Sequence, residues 1–386
     1  MSESGYSRIV VIAPLLAALV SGCGSSQGAV QTTVPEPGIT AVVYWVPGPD
    51  PKGEGTLYVR QVDAVTQQQV ASDRPIGTGT DFWPVVTHSS SPPIAWEVAV
   101  TTEHGTQGLA VNTTGAQAPA WADANSDRRI SAMAPDGTVA FAPAGKSVET
   151  VTPSGVVRNY ALPPVQTGLP TVDGSPLKGP PVGGPTGAVG AILFAPNGHI
   201  LSGEHNGVNS ELVDLTIGRS LDLPRYSFIE GMTVAPDGTL YVLVFDESLS
   251  SNPYVVLVVS SVTWSIVKVV ATPFVPSASY PVSSVTVAAT SNAMFLYVAY
   301  GIYAPGLPGH SRLLTLTYGS SLVSEVSVPD RLGLRMQSES DGNLRFYGGP
   351  AHDQVTPYDP STGVFGQTSA PAQLAPIGAY IGAVFS

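Results

Sequence analysis

The chain has 386 residues, of which 41 are Gly and 36 are Pro, so about one residue in five favours turns. Only 11 % of it is charged while 43 % is hydrophobic, which excludes a disordered polyampholyte; with no Gly-X-Y period it is not collagen either, and an all-β body with a large core is expected. The 16 basic against 28 acidic residues leave a net charge of −12, which repels a phosphate backbone and excludes nucleic acid as an expected partner.

Taken in chain order, the N-terminus reads as a secretion signal. Arg8 precedes the apolar stretch Ile9 to Val20, and the small residues Ser21 and Gly22 precede Cys23. That stretch is too short to span a bilayer, which needs roughly 20 residues. Val20-Ser21-Gly22-Cys23 resembles the bacterial lipobox, whose cysteine is acylated after cleavage. Cys23 is the expected lipidation site, and each buried methylene of its acyl chains adds about 0.8 kcal/mol of membrane affinity. It is also the sole cysteine, so no disulfide can form within the chain. The reading divides the chain into a signal peptide at 1–22, a lipidated cysteine with a flexible tether at 23–37, and a folded body at 38–386. The protein is expected in the cell envelope, on the extracytoplasmic face of a membrane, as a monomer.

Two short motifs carry no chemistry. Gly24-Ser25-Ser26-Gln27-Gly28 matches G-x-S-x-G but lies in the tether, and Ser175-Pro176-Leu177-Lys178 matches S-x-x-K inside a Pro/Gly loop where no helix can bring the lysine onto the serine. Asn112-Thr113-Thr114 is a glycosylation sequon by pattern alone.

The body repeats one turn. Ala134-Pro135-Asp136-Gly137-Thr138, Ala195-Pro196-Asn197-Gly198-His199 and Ala235-Pro236-Asp237-Gly238-Thr239 are three copies, each between short apolar strands, with a weaker copy at Asp341-Gly342-Asn343. Such turns close tight hairpins, Asp or Asn tolerating left-handed backbone and Gly supplying positive φ. Their glycines lie about 60, 40 and 100 residues apart, the last gap holding two units with a missing turn near Ser291-Asn292. Seven four-stranded units follow, beginning near residues 38, 81, 128, 187, 228, 281 and 331. The fold class is therefore all-β, a seven-bladed β-propeller. The insert Pro163 to Gly187 is expected to overhang one rim, and the tail Ile377 to Phe385 to close the ring by completing the first unit.

Ile130-Ser131-Ala132-Met133-Ala134-Pro135-Asp136-Gly137-Thr138-Val139-Ala140-Phe141, then Val151-Thr152-Pro153-Ser154-Gly155 and Tyr160-Ala161-Leu162-Pro163, resembles the units of streptogramin (virginiamycin B) lyase-like propellers. Those read G-P-D-G-N-L-W-F-T-E, then R-I-T-P-x-G, then L-P. The resemblance covers about three units. It implies a propeller and, for the lyases, a metal-dependent elimination with a histidine base. The aromatic-Phe-Thr-Glu end is replaced by Phe141-Ala142-Pro143 and by Val242-Leu243-Val244-Phe245, and only Glu204 falls at the family's glutamate position.

Placed on the four-strand scheme, His104, His205, His310 and His352 fall in loops between second and third strands, on one rim, with Glu103, Glu204, Asp246, Glu247 and Asp353 nearby. Imidazoles beside carboxylates can pair as base and orienting group or bind a divalent cation such as Mg²⁺ or Ca²⁺; polar residues in loops can equally be only solvated. Glu204 and His205 are the candidate catalytic pair, and Glu204, His205, His104, His352 and Asp353 the candidate metal ligands. Two functions follow: an envelope-anchored module binding a protein, small molecule or carbohydrate through its rim, or a metal-dependent lyase-like enzyme acting at an ester or lactone. The tryptophans Trp45, Trp83, Trp96, Trp121 and Trp264 read as packing residues, with a sugar platform as the other use.

Overall fold

Turn-dense, alternating sequence leads to strands, and every described element is one; no described residue is helical. The computed structural model describes the strands given below and the turns beside them; residues 1–38 and several connections, among them 86–95, 177–187, 301–310 and 369–378, lie outside the described residues.

The strands fall in chain order into four-stranded antiparallel sheets. The first takes β1 (Ile39–Val46), β2 (Gly55–Gln61) and β3 (Arg74–Gly79). The second holds β4 (Asp81–Val85), β5 (Trp96–Thr102), β6 (Gly105–Val111) and β7 (Gln117–Asp123), and the third β8 (Ser131–Met133), β9 (Val139–Phe141), β10 (Ser147–Val151) and β11 (Val157–Ala161). A separate two-stranded hairpin, β12 (Thr171–Val172) with β13 (Ser175–Pro176), lies within the Pro/Gly insert, so that insert has some structure of its own. The fourth sheet is β14 (Ala188–Phe194), β15 (Ile200–His205), β16 (Ser210–Asp214) and β17 (Arg219–Leu223); the fifth is β18 (Phe228–Val234), β19 (Leu240–Phe245), β20 (Tyr254–Ser260) and β21 (Ser265–Ala271). The sixth is β22 (Val282–Ala289), β23 (Ala293–Tyr300), β24 (Arg312–Thr317) and β25 (Val323–Ser327), and the seventh β26 (Arg335–Ser338), β27 (Leu344–Gly348), β28 (Gln354–Asp359) and β29 (Val364–Phe365). The last strand, β30 (Ala379–Phe385), returns to the first sheet and pairs antiparallel with β1, from Ile39 opposite Phe385 to Trp45 opposite Ala379.

Burial on both faces explains the low charge. Strands such as Leu240–Phe245 and Ser210–Asp214 are buried almost throughout, because one face meets the preceding sheet and the other the following one. Leu201, Leu212, Ile229, Val242 and Leu257 fill the space between the fourth and fifth sheets. Tyr241, Leu243, Val256, Leu296 and Leu314 fill that between the fifth and sixth, and Phe295, Tyr297, Leu313, Leu344 and Phe346 that between the sixth and seventh.

The repeated turn has a different geometry from the one expected of it. In Ala195–His199 the N–H of Gly198 donates to the carbonyl of Ala195 at 2.8 Å, and in Ala235–Thr239 that of Gly238 donates to Ala235 at 2.9 Å. Only the glycines are left-handed, with φ of 80° and 86°. Pro at the second position therefore suits a type I turn, and Gly forms the bulge that follows it. Asn197 and Asp237 serve instead as acceptors, taking the N–H of His199 at 3.1 Å and of Thr239 at 2.9 Å. The turn expected near Ser291-Asn292 does join β22 to β23, closed by the N–H of Thr290 on the carbonyl of Ala293 at 3.0 Å.

In the first sheet a polar knot ties β1 and β2 to Asp73, the residue before β3. Asp73 accepts from Tyr44 Oη at 2.7 Å and from Arg60 Nε at 2.7 Å, while the Arg60 guanidinium lies 5.4 Å above the Tyr44 ring. The hydrogen bond from Arg60 holds the Asp73 carboxyl below the usual range.

Candidate functional site

The sequence places Glu204 and His205 in a loop. The structure instead puts Glu204 inside β15 and His205 at its last position, paired with Ser210 on β16 and Ala188 on β14. The loop begins only at Asn206, whose side chain accepts the N–H of Asn209 at 2.9 Å. A strand position has a consequence that a loop does not, since successive side chains leave a strand on opposite faces.

Leu201, Gly203 and His205 face the fifth sheet. A Cβ on Gly203 would stand 2.7 Å from Ile229 Cγ2, and the His205 ring meets the Phe228 ring edge-on at 4.8 Å. Gly190 is bare for the same close approach, as a Cβ there would meet the Ile229 carbonyl at 2.4 Å and His205 Cδ2 at 3.2 Å. Ile200, Ser202 and Glu204 face the third sheet, where Ile200 packs with Ala140, Ala142 and Val148. Carboxyl and imidazole are thus neighbours in sequence and separated by the sheet.

Glu204 is fully buried, and neither of its carboxyl oxygens has a hydrogen-bond partner. Its cross-strand neighbour on β16 is Glu211, 3 % exposed, whose Oε2 is also unpartnered. Asp222 on β17 is opposite Glu211 and continues the acidic row to the surface. Burial, reinforced by the charge of Glu211, pushes the Glu204 carboxyl up to about 8, with Ser202 pulling weakly the other way although no hydrogen bond of ordinary geometry joins them. Burial raises Glu211 as well, opposed by Ser220 and helped by Asp222. At neutral pH Glu204 is therefore a carboxylic acid able to donate a hydrogen bond or release a proton to an incoming cation.

Comparison with the fifth sheet shows how unusual this is. From the shared turn, the position of Glu204 corresponds to Val244, fully buried and apolar, and that of His205 to Phe245, whose ring meets Phe228 at 6.2 Å and Tyr254 at 5.1 Å. His205 thus fills an aromatic slot. Glu204 puts an ionisable group into an apolar one, which is destabilising unless the group is neutral or has a ligand.

Glu204 and Glu211 offer up to four oxygens of the type Mg²⁺ or Ca²⁺ takes, but among the described residues no three His, Cys, Asp or Glu side chains are grouped closely enough to hold a metal. His205 cannot complete such a set with Glu204, being across the sheet. His104, His310, His352, Asp353 and Cys23 lie outside the described residues. Glu211 escaped the sequence reading, yet the signal was present: a hairpin centred between Gly207 and Val208 sets residue 204 opposite 211.

No protein-family model and no curated protein matches the chain. Among solved structures it is similar to a catalytically inactive virginiamycin B lyase from Staphylococcus aureus determined with quinupristin, at 16 % identity over 76 % of this chain and 89 % of that one, with a TM-score of 0.46. A streptogramin B lyase matches at 12 % identity over 75 % and 87 % of the two chains, TM-score 0.43. A chain of a mitotic checkpoint complex matches at 12 % over 87 % and 96 %, TM-score 0.47. The structural neighbours of this chain thus include streptogramin B lyase-like propellers, and the likeness is one of fold.

Proposed function

We propose that the chain is a binding module, a seven-bladed β-propeller closed where β30 completes the first sheet and held at the extracytoplasmic face of a membrane through Cys23. The pairing of β30 with β1, the packing of β8, β14, β18, β22 and β26 in succession, and the contact of β27 with β30 support the closed ring. The observation that carries the binding reading is the departure of Glu204 and His205 from opposite faces of β15. A base and its orienting carboxylate must share a substrate atom or each other, and these two do neither. A protein, small molecule or carbohydrate at the rim fits the net charge of −12 better than any polyanion.

One observation favours the second reading, a metal-dependent lyase-like enzyme. The Glu204 carboxyl titrates near 8 beside Glu211, and such a buried acid can give up its proton when Mg²⁺ or Ca²⁺ joins the two carboxyls. Quinupristin accompanies the staphylococcal lyase and is the natural probe. Incubated with the full chain and Mg²⁺, it stays intact by mass spectrometry under the binding reading. A linear product that Glu204→Gln abolishes overturns the binding reading in favour of the enzyme. The anchor is tested separately: labelled palmitate should enter the wild type and not Cys23→Ser.

A further inference from the structure

In the fourth to seventh sheets the third-to-fourth-strand hairpin holds one residue in left-handed backbone. In the fourth, sixth and seventh sheets it is glycine: Gly218, Gly319 and Gly363, with φ of 67°, 79° and 71°. In the fifth sheet it is Trp264, at φ 54°, the one non-glycine with positive φ among the described residues. The turn itself does not ask for it. Trp264 donates its N–H to Ser260 at 2.8 Å just as Gly218 does to Asp214 at 2.9 Å and Gly363 to Asp359 at 2.8 Å. A bulky side chain there is disfavoured by about 1 kcal/mol or more, and strain of this kind collects where a site needs a particular side chain.

The Trp264 indole, 7 % exposed, walls a cavity of about 280 Å³ between the fourth and fifth sheets, at the end that carries the Pro-Asn-Gly and Pro-Asp-Gly turns. That end is the opposite one of β15 from Glu204. Arg219 lies over the indole with Cζ 5.4 Å from the ring centroid. Among the described residues its guanidinium hydrogen-bonds only the carbonyl of Val262, at 3.4 Å from two nitrogens, and no carboxylate pairs with it. Arg60 and Arg312, by contrast, are paired with Asp73 and Glu325. His199, on the same wall, turns Nδ1 to Asp214 Oδ2 at 2.7 Å and leaves Nε2 as its second nitrogen.

Three of the four carboxylate oxygens that line this cavity are already engaged. Asp214 Oδ1 takes the N–H of Thr216 at 3.0 Å, Oδ2 faces His199, and Asp237 Oδ1 takes the N–H of Thr239 at 2.9 Å. Besides Asp237 Oδ2, what stays open is donor capacity, the Arg219 guanidinium fork above all, and that geometry suits carboxylate or phosphate oxygens. Pro196, Ile217 and Pro236 form an exposed apolar rim around it. We propose that this cavity binds a small molecule through an anionic oxygen group, carboxylate or phosphate, held by the Arg219 fork beside the Trp264 wall, with His199 adding a donor at Nε2 when its ring carries both protons. The volume lies below the range of about 300–1,000 Å³ for drug-sized ligands, so the ligand is compact.

The test titrates the full chain with inorganic phosphate and, separately, with malonate, following the indole N–H resonance that Trp264→Phe removes. A saturable displacement by one anion, weakened at least tenfold in Arg219→Gln and less in Arg219→Lys, supports the site and says which oxygen group it takes. His199→Gln should weaken it severalfold, and Arg158→Gln, on an exposed face of the third sheet, should not. If Arg219→Gln does not fold, Arg219→Lys and His199→Gln carry the comparison. No saturable displacement by either anion, or a displacement indifferent to Arg219 and His199, overturns the proposal.

Discussion

Glu204 and Glu211 face each other across β15 and β16, buried, with three of their four carboxyl oxygens lacking a hydrogen-bond partner. Two such acids can stay in a core only if at least one is protonated or a cation joins them. The folded state therefore holds a proton that the unfolded chain releases in the ordinary carboxylate range.

That linkage fixes the sign of a pH effect. The folded carboxyl of Glu204 titrates near 8 against an ordinary value of 4.5, so its stability contribution is complete below 4.5 and is lost as pH rises through 8. Glu204→Gln, the neutral isostere, should match the wild type near pH 5 and exceed it at pH 9 by about 2–4 kcal/mol. Urea unfolding at the two pH values checks this. Equal stability of the two proteins at pH 9 contradicts it.

Asp73 shows the opposite sign. Its carboxyl is held low by Arg60 and Tyr44, so the knot stabilises above about pH 4 and fades as pH falls through the depressed value. Because the carboxylate is partly exposed, Asp73→Asn should cost about 1–2 kcal/mol at pH 7. The difference should shrink toward zero near pH 2, measured by denaturant unfolding at both values.

Close approach of β15 to the fifth sheet makes Gly203 intolerant of a methyl group. Ile229, which an added Cβ would meet at 2.7 Å, is itself buried and has no room to yield. Gly203→Ala should destabilise by about 1–3 kcal/mol. Gly198→Ala meets no neighbour and is penalised through its φ of 80° alone, by about 1 kcal/mol.

Removing residues 379–385 strips β1 of its partner from Ile39 to Trp45. The proposed ring then becomes an open stack with an unpaired edge, and the sharp thermal transition should broaden or vanish. An unchanged melting curve would show that the ends are not joined through this strand.

Much of the architecture was legible because it repeats. The Ala-Pro-Asp/Asn-Gly turns at Gly137, Gly198 and Gly238 marked three first hairpins, and their spacing set unit starts within four residues of the observed sheets at Ile39, Asp81, Ser131, Ala188, Phe228, Val282 and Arg335. The candidate site was less legible, because a four-strand scheme says where a strand lies more readily than where it ends. Taking His205 as loop hid the alternation that separates it from Glu204. Trp264 read as packing because a φ of 54° leaves no mark in composition. Arg219 and His199, 20 residues apart in sequence, gave no motif to follow.

Glu204 sits protonated between the third and fourth sheets, coupled to Glu211 and not to His205. Carbon-13 titration of the Glu204 side-chain carboxyl reads that proton. The midpoint should lie near 8 in the wild type, stay there in His205→Ala, and fall in Glu211→Gln. A midpoint in the ordinary carboxylate range, or one that moves with His205 and not with Glu211, would mean that Glu204 is neither protonated in the fold nor coupled to Glu211.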